Sequence, residues 1–374
     1  MSTRTIHLVC GARPNFMKVA PLYHALVAES WADPVIVHTG QHYDFNMSGS
    51  FFSDLVLPPP HIALTAGSGT HAEQTAQVMV AYERVLENDP PDLIVVVGDV
   101  NSTMAATLAA SKLGIRVAHL EAGLRSRDRT MPEEINRLVT DVIADLLWAP
   151  SADAVENLKA EGIPDEKIEF VGNIMIDSLE LLRSRIDTER THLEFGLPER
   201  GYVVVTLHRP SNVDNGSVLR EICLRLKEMA QIVPVVLPLH PRTRERLQRY
   251  GLLETLQDDQ RIHFPEPLSY VRFLSLVNGA QFVVTDSGGL QEETSYLGIP
   301  CLTLRDTTER PVTVTHGTNR LCTLDELPSN TMRIVYGPAR TPTSIERWDG
   351  RTAARIVASL RAMFDVDARM YAPA

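Results

Sequence analysis

Short runs rich in Val, Ile and Leu alternate with helical patterns along most of this chain, and this alternation restricts the possible folds more than any other feature. Continuous apolar strands joined by helices are typical of a parallel sheet that is covered on both faces. The alternation occurs in two sets, so the sequence predicts an α/β fold with two Rossmann-like, doubly wound parallel-sheet domains. The predicted strands are residues 6–10, 35–38, 93–97, 117–120, 146–149 and 168–172 in the first set, and residues 202–207, 235–239, 262–264, 282–285 and 301–304 in the second.

The length of 374 residues also favours two domains, because a single hydrophobic core stops growing at roughly 250 to 300 residues. We expect an N-terminal domain at residues 1–175 and a C-terminal domain at residues 176–374, with an interdomain cleft. Ligands of open α/β sheets bind outside the carboxyl ends of the strands, so the residues after each strand are the candidates for a site. A final helix at residues 352–363 is able to pack back on the N-terminal domain or to stay with the C-terminal one.

Composition and charge exclude several classes of protein. Hydrophobic residues make up 44% of the chain and charged residues 22%, and no apolar run is long enough to span a bilayer. A strand pattern begins at residue 6 without a secretory leader, so we expect a cytoplasmic protein that does not bind membranes. The net charge of −11 disfavours nucleic acid as a partner. The scattered Cys10, Cys223, Cys301 and Cys322 form no CxxC pair, which argues against a disulfide framework and a zinc site.

The stretch at residues 282–293 predicts a binding site for an anion. A buried strand leads into Ser287, Gly288 and Gly289, and a helix is expected to begin near Leu290. The two glycines allow the backbone to approach a ligand closely, and the helix directs unpaired N–H groups and the positive end of its dipole at an anion. Glu293 is one turn into the helix, within reach of a sugar hydroxyl. The alternative is a tight strand-to-helix connection in which Ser287 caps the helix.

Two cations follow the first strand, Arg13 and Lys18. The glycine spacing of dinucleotide-binding proteins is missing, and no GK[ST] sequence follows, so neither NAD nor a nucleoside triphosphate of the P-loop type is indicated. The pair is suited to a diphosphate or a carboxylate, with Arg supplying a planar bidentate fork. The alternative is that both are solvated surface cations.

Carboxylates follow the next strands. Asp99 is either a turn residue or a group that projects into the cleft. Glu121 ends an otherwise apolar strand, which favours a functional role because an unpaired buried carboxylate is costly and has a raised pKa. Glu133 is in the first turn of a helix, where the helix dipole is a sufficient structural explanation. His208 and Arg209 end the first strand of the second set, and this pair is less often structural than a single His.

These segments closely resemble the non-hydrolysing UDP-N-acetylglucosamine 2-epimerases. The resemblance implies two Rossmann-like domains of glycosyltransferase-B type, which agrees with the domain organisation predicted above. The matching motifs occur in order along roughly 300 residues. They are GARPNFMKVAPL at 11–22, TGQHYDFNMS at 39–48, GDVNST at 98–103, HLEAGLRS at 119–126, MPEEINR at 131–137, TLHRPSN at 206–212, TDSGGLQEE at 285–293 and LRDTTERP at 304–311.

The resemblance implies inversion at C2 of a UDP-linked 2-acetamido sugar, from UDP-GlcNAc to UDP-ManNAc, for use in a surface polysaccharide. In the family's proposed mechanism a base removes the C2 proton as UDP leaves from C1, and UDP then adds back to the resulting glycal. This chemistry needs no metal or redox cofactor. By the match of motif positions, Asp99, Glu121 and Glu133 are the acid/base carboxylates, and His208 supports proton transfer or binding of the leaving group. The expected substrate contacts are Arg13, Lys18, Arg209, Ser287, Gly288 and Gly289 at the anionic groups, Glu293 at the ribose, Phe273 near the uracil, and Arg310.

The chain departs from some members of this family, and its motifs are compatible with several activities. Asp44 and the segment 68–70 stand where some bacterial members have the glutamine and arginine of a second, regulatory UDP-GlcNAc site, which argues against such a site. Relatives that epimerise UDP-2,3-diacetamido-2,3-dideoxy-uronic acids share these motifs, so this substrate stays open. A hydrolysing epimerase, a glycosyltransferase of the same fold and a non-catalytic sensor of nucleotide sugars are the competing functions. The family also suggests a homodimer.

Overall fold

The computed structural model describes residues 3–11, 13–40, 54–64, 66–67, 69–338 and 344–370, without the side chains of residues 13 and 367–370. The chain divides into two compact units. Unit 1 comprises Met1–Leu181 and Glu346–Ala374, and unit 2 comprises Leu182–Ile345. The division into an N-terminal domain at residues 1–175 and a C-terminal, UDP-binding domain at residues 176–374 stays a prediction.

The helices follow the strands in the alternation that the sequence predicts. In chain order they are α1 (Arg13–Val27), α2 (His71–Asn88), α3 (Asn101–Lys112), α4 (Pro132–Ile143), α5 (Ala152–Ala160), α6 (Ile174–Leu181), α7 (Arg183–Glu189), α8 (Pro210–Val213), α9 (Gly216–Ala230), α10 (Pro241–Arg249), α11 (Leu253–Gln257), α12 (Tyr270–Asn278), α13 (Gly288–Leu297), α14 (Pro311–Thr315), α15 (Leu327–Tyr336) and α16 (Thr352–Met370).

Unit 1 contains a parallel sheet of seven strands in the order β3-β2-β1-β4-β5-β6-β7. The central strand β4 consists of apolar residues, all of them buried, as expected for a strand covered on both faces. The strand order reverses between β1 and β4, which is where doubly wound sheets bind ligands. The strands are β1 (Arg4–Cys10), β2 (Ala32–His38), β3 (Ile62–Ala63), β4 (Leu93–Val97), β5 (Val117–Leu120), β6 (Leu146–Ala149) and β7 (Ile168–Phe170).

The last helix, α16, packs on unit 1. The carboxylate of Asp177 accepts hydrogen bonds from the backbone N–H groups of Thr352 (3.1 Å) and Ala353 (2.8 Å) and so satisfies the start of this helix. Further along, the ring of Phe364 lies 5.9 Å from that of Trp31, centroid to centroid. The C-terminal segment therefore completes the core of the unit in which the chain begins.

Unit 2 contains a second parallel sheet, of six strands in the order β10-β9-β8-β11-β12-β13. Buried residues of β8 and β11 form the centre of its hydrophobic core, together with the apolar face of α9. The reversal of strand order lies between β8 and β11. The strands are β8 (Val203–Thr206), β9 (Val235–Val236), β10 (Ile262–His263), β11 (Phe282–Thr285), β12 (Cys301–Thr303) and β13 (Asn319–Leu321).

The predicted fold class, two doubly wound α/β sheets with parallel strands, is confirmed. In the part of the chain that the structure describes, no helix has both the length and the apolar character that crossing a membrane requires.

Candidate functional site

In unit 1, charged side chains gather where β1, β4 and β5 end. Lys18, in the second turn of α1, forms an ion pair with Oε2 of Glu121, the residue that follows β5. Both side chains are buried, and Oε1 of Glu121 has no hydrogen-bond partner among the described residues. Glu121 also has a φ of +73°, a left-handed conformation that is costly for a residue with a Cβ. A strained, buried carboxylate with one unsatisfied oxygen is suited to meeting a ligand.

Gly98 provides the room for this ion pair. It follows β4 with a φ of +69°, and a Cβ at this position would lie 3.2 Å from Nζ of Lys18 and 3.6 Å from Nδ2 of Asn15. Asn15 itself is fixed, because its Nδ2 donates to the carbonyl of Val97 at 3.0 Å. Glycine is therefore required here both by the backbone conformation and by the close approach of polar side chains.

Asp99 is held in place by α4. Its carboxylate pairs with the buried guanidinium of Arg137 at 2.5 Å, and its backbone carbonyl accepts from Nδ2 of Asn136 at 2.8 Å. Arg137 also pairs with Glu134 at 2.8 Å. Burial acts to raise the pKa of Glu134, but hydrogen bonds from the backbone of residues 126 and 127 and from Arg137 hold that pKa below its ordinary value. The sequence analysis predicted this helix but did not identify Glu134 and Arg137 as site residues. Arg137 binds Asp99 directly, and Glu134 holds Arg137.

Glu133 is in the first turn of α4, next to Pro132 at the start of the helix. Its side chain is half-buried and makes no hydrogen bond or ion pair with the rest of the described chain. The structure gives it no contact with Glu121 or Asp99, so its catalytic role stays a prediction.

His119, a residue of β5, contacts the turn that follows β4. Its Nε2 lies 2.8 Å from the carbonyl oxygen of Gly98, and its Nδ1 lies 2.6 Å from Oδ1 of Asp141. Asp141 also accepts from the backbone N–H of Gly123 (3.0 Å) and from Arg125 (2.7 Å). Burial acts to raise the pKa of Asp141, but His119 and Arg125 hold it below its ordinary value. The fully buried ring of His119 thus links the carboxylate of Asp141 to the carbonyl of Gly98 and supports the turn that presents Asp99.

In unit 2, α13 begins directly after β11 and confirms the predicted strand-turn-helix connection, with the helix starting at Gly288 rather than at Leu290. Ser287 is the N-cap residue, but its side chain makes no capping hydrogen bond. The alternative of a tight connection with Ser287 at the N-cap is thus correct for the position of Ser287, but its hydroxyl does not make the capping hydrogen bond. The first N–H groups of a helix have no partner within it, and they combine with the helix dipole to favour an anion.

The two glycines of this turn differ in their surroundings. A Cβ at Gly288 would lie 2.7 Å from Oε1 of Glu309 and 2.8 Å from a guanidinium nitrogen of Arg310, so a side chain here would displace the ends of these two buried charged residues. A Cβ at Gly289 would meet no atom within 4 Å, and Gly289 does not adopt a left-handed φ. Nothing in the described protein therefore requires glycine at position 289, and the backbone there is open to the close approach of a ligand.

Arg310 lies beside this turn in a buried network of charges. Its guanidinium pairs with Glu292 at 2.7 Å and with Glu309 at 2.9 Å, and Glu309 also pairs with Arg305 at 2.8 Å. Burial acts to raise the pKa of Glu309, but the two arginines hold it far below its ordinary value. Arg310 is thus fixed next to Gly288, and its contact with a substrate stays a prediction.

Glu293 is fully buried one turn into α13. Its Oε1 accepts a hydrogen bond from the hydroxyl of Tyr270 at 2.6 Å. Burial, reinforced by the neighbouring Glu292, raises the pKa of Glu293 to about 7, although the Tyr270 hydroxyl opposes the shift. Phe273 is a partly buried residue of the same helix as Tyr270. The predicted ribose and uracil contacts therefore lie on neighbouring helices, α13 and α12.

His208 and Arg209 are both bound to Asp286, the last residue before Ser287. The buried carboxylate of Asp286 lies 2.8 Å from Nδ1 of His208, and it accepts from the backbone N–H groups of His208 (3.0 Å) and Arg209 (2.9 Å). Arg209 Nε donates to the carbonyl of Asp286 at 3.0 Å. Sequence reasoning missed Asp286 as a site residue, although an acidic residue that ends an apolar strand immediately before a glycine turn was a usable signal.

Several sequence predictions fall outside the described part of the chain. They concern the side chain of Arg13, Asp44 together with most of the motif at residues 39–48, and Ser68. Within the described ranges, no group of three or more His, Cys, Asp or Glu side chains is arranged to hold a metal ion.

Comparison with known proteins identifies the family. The family model for UDP-N-acetylglucosamine 2-epimerase matches residues 24–361. The UDP-N-acetylglucosamine 2-epimerase of Methanocaldococcus jannaschii is 44% identical over 321 residues, which cover 84% of this chain and 87% of that protein. The UDP-2,3-diacetamido-2,3-dideoxy-D-glucuronate 2-epimerase of Pseudomonas aeruginosa is 41% identical over 317 residues, which cover 84% of this chain and 86% of that one.

Solved structures give the same result. The crystal structure of the M. jannaschii enzyme in complex with UDP-GlcNAc and UDP has a TM-score of 0.87 at 40% identity and covers 96% of this chain and 99% of its own. The enzyme of Neisseria meningitidis bound to UDP-GlcNAc has a TM-score of 0.85 at 30% identity and covers 96% of this chain and 100% of its own. The likeness confirms the predicted glycosyltransferase-B type of fold. This chain therefore belongs to the UDP-N-acetylglucosamine 2-epimerase family, a family of isomerases.

Proposed function

We propose that this protein inverts C2 of UDP-GlcNAc to give UDP-ManNAc, by elimination of UDP to a glycal and re-addition of UDP. The observation that carries the proposal is the buried carboxylate of Glu121, which Lys18 holds through Oε2 while Oε1 has no partner among the described residues. In a chain that belongs to this family, an orphaned buried carboxylate oxygen supports a role in proton transfer to and from the substrate.

The C2 proton of the sugar is not acidic by itself, so its removal must be coupled to departure of the leaving group. As a carboxylate takes the C2 proton, the C2–H electron pair becomes the C1=C2 double bond, and the C1–O pair passes to UDP. We assign this proton transfer to the carboxylates Asp99, Glu121 and Glu133. The reverse sequence, with protonation on the opposite face, gives the epimer. A positioned general acid or base contributes about 10²- to 10⁴-fold to the rate.

Anion binding supports the same chemistry. The N–H groups at Gly288 and Gly289 would hold the diphosphate of UDP and stabilise the charge that develops on it as a leaving group. The buried Glu293 would accept from the ribose hydroxyls, with Phe273 near the uracil. We assign the remaining substrate contacts to Arg13, Lys18, Arg209, Ser287 and Arg310, and a supporting role in proton transfer or leaving-group binding to His208.

A second candidate substrate is a UDP-2,3-diacetamido-2,3-dideoxy-uronic acid. It is favoured by the 41% identity to the P. aeruginosa enzyme that is named for such a substrate. The same elimination and re-addition would act on this sugar, which differs from UDP-GlcNAc at C3 and C6.

Proton NMR of the purified protein with UDP-GlcNAc in D₂O tests the proposal. We expect UDP-ManNAc to accumulate with deuterium at C2 and with little free ManNAc, and we expect Glu121→Gln to slow both changes together. Free ManNAc and UDP as the main products would instead indicate a hydrolysing epimerase. Complete inertness towards UDP-GlcNAc, with turnover of the diacetamido-uronate nucleotide, would establish the second substrate. Inertness towards both would overturn the proposed function.

We also propose that the protein works in the cytoplasm as a homodimer. The family resemblance supports the dimer, and the composition supports the compartment. Size-exclusion chromatography with light scattering tests the assembly. A mass near 83 kDa, about twice the 41.5 kDa of the chain, is expected, and a mass of one chain would contradict the dimer.

A further inference from the structure

The hydrogen bonds of the Asp286 carboxylate show that it acts as an acceptor. Apart from His208 Nδ1, its contacts are the backbone N–H of His208 (3.0 Å), the backbone N–H of Arg209 (2.9 Å) and the side-chain amide of Asn212 (3.0 Å). All three groups are donors, so Asp286 must accept from each. Burial acts to raise the pKa of Asp286, but His208 and the other donors hold it below its ordinary value. Asp286 is therefore ionised, and it faces His208 as an acceptor only.

The protonation of the His208 ring follows from this arrangement. Nδ1 lies 2.8 Å from Oδ1 of Asp286, and a carboxylate that can only accept requires a proton on Nδ1. Nε2 makes no hydrogen bond with the described residues, and the side chain is 40% exposed. Asp286 thus fixes the tautomer and leaves Nε2 as the free atom of the ring.

We propose that Asp286 is a positioning residue for the reaction, which holds His208 with Nδ1 protonated so that Nε2 meets the substrate. This inference rests on the proposed epimerase function and deepens it. In the imidazolium form, Nε2–H donates a hydrogen bond to the phosphate oxygen of UDP as that oxygen receives the C1–O electron pair. A carboxylate takes the C2 proton in the same step, so the proton and both electron pairs are accounted for.

The groups that face His208 from the neighbouring elements fit this role. His240, the N-cap of α10, has its ring 5.5 Å from that of His208, and its Nδ1 accepts from the backbone N–H of Arg242 at 3.2 Å. An accepting Nδ1 means that His240 is neutral, and burial together with His208 lowers the pKa of His240. Asp286 is thus the anion in contact with the His208 ring, and Arg209, which binds the Asp286 carbonyl, is the nearby cation.

The first test reads the tautomer directly. Long-range ¹H–¹⁵N NMR of the full chain labelled with [¹⁵N]histidine, assigned with His208→Gln, reports which ring nitrogen carries the proton in the neutral ring. We expect Nδ1–H. The Nε2–H tautomer, which is the common one in free histidine, would overturn the proposal. This result does not depend on whether the substrate has been identified correctly.

The second test uses Asp286→Asn, in which the side-chain amide no longer enforces a proton on Nδ1. In a Ser-His-Asp triad the equivalent change lowers kcat by about 10⁴-fold because the histidine adopts the wrong tautomer. We expect kcat for C2 epimerisation to fall roughly 10²- to 10⁴-fold, with the Nδ1–H signal lost. The double variant Asp286→Asn, His208→Gln is expected to be no slower than His208→Gln alone, because the two residues act as a unit.

Asn212→Ser is the matched control. It removes one donor from the same carboxylate but leaves the His208 contact in place, so we expect Nδ1–H to persist and kcat to fall much less than in Asp286→Asn. Thermal melting of each variant shows whether it is folded. If the effects of Asp286→Asn and His208→Gln multiply, or if Asn212→Ser slows the reaction equally, Asp286 has a structural role only and the inference fails while the epimerase function stands. If the wild-type protein is inert, the proposed function fails and the tautomer experiment still decides the inference.

Discussion

Replacing Gly289 with alanine tests whether glycine is needed at this position for binding UDP and not for stability. The added Cβ would meet no protein atom within 4 Å, and the backbone is not left-handed. Alanine is the better helix former, by up to about 1 kcal/mol, so the melting temperature of Gly289→Ala is expected to stay the same or rise. A diphosphate on the α13 N-terminus, however, would meet the new methyl group and lose a close N–H contact.

The loss of one hydrogen bond to a charged group costs roughly 1.5–3 kcal/mol, so the Kd for UDP should rise about 10- to 100-fold. Isothermal titration calorimetry with UDP measures this change, and differential scanning fluorimetry measures stability. Gly288→Ala is the matched control, since its Cβ would lie 2.7 Å from Glu309 and 2.8 Å from Arg310. That variant should lose stability as well as affinity. A Kd for Gly289→Ala within twofold of the wild type would refute the placement of the diphosphate at this helix.

Three other predictions concern buried carboxylates. Glu121→Gln should lower kcat roughly 10²- to 10⁴-fold and leave the Kd for UDP unchanged. A coupled enzyme assay measures kcat, and calorimetry measures the Kd. A kcat near that of the wild type would contradict the role of Glu121. Lys18→Met removes the buried partner of Glu121 and should lower the free energy of unfolding, measured by urea denaturation, by roughly 3–5 kcal/mol. Combining Lys18→Met with Glu121→Gln should recover most of this loss. Glu293 has a pKa of about 7 in the folded state against an ordinary 4.5, so its contribution to stability is fully present below pH 4.5 and is lost as the pH rises through 7. Glu293→Gln should therefore be more stable than the wild type at pH 8.5, by at most about 3 kcal/mol, and similar to it at pH 5; a larger advantage at pH 5 would contradict the raised pKa.

The strands were predictable where burial on both faces makes the hydrophobic run continuous. The predicted runs at residues 93–97, 117–120 and 146–149 are the observed β4, β5 and β6. The run at residues 235–239 instead gives only Val235–Val236, because Pro238 has no N–H for the strand ladder. The edge strand β3 has only two residues, and the edge strand β13 has three, of which Asn319 and Arg320 are polar, so no periodicity marks either strand.

The sequence predicted which residues after the strands belong to the candidate site. It did not predict which side chains bind one another there. Sequence motifs indicate Glu121 and Asp99, but the partners that fix them are 103 residues away at Lys18 and 38 residues away at Arg137. Only the folded sheet and its helices bring such groups within hydrogen-bond distance. Asp286 shows the same limit, since its contact with His208 spans the distance between two strands that are far apart in sequence.

The order in which the chain builds its two units has a consequence for synthesis on the ribosome. Because Leu182–Ile345 forms a unit of its own within the sequence of the other, unit 2 has all of its residues before unit 1 does. The hydrogen bonds from the backbone N–H groups of Thr352 and Ala353 to Asp177 cannot form until the end of the chain has been synthesised. The same is true of the contact between the rings of Trp31 and Phe364. The growing chain therefore carries all seven strands of the first sheet but lacks helix α16, and the apolar residues that α16 covers stay exposed until that helix is made. A chaperone that recognises exposed apolar surface would engage the nascent protein at those residues, after unit 2 has folded.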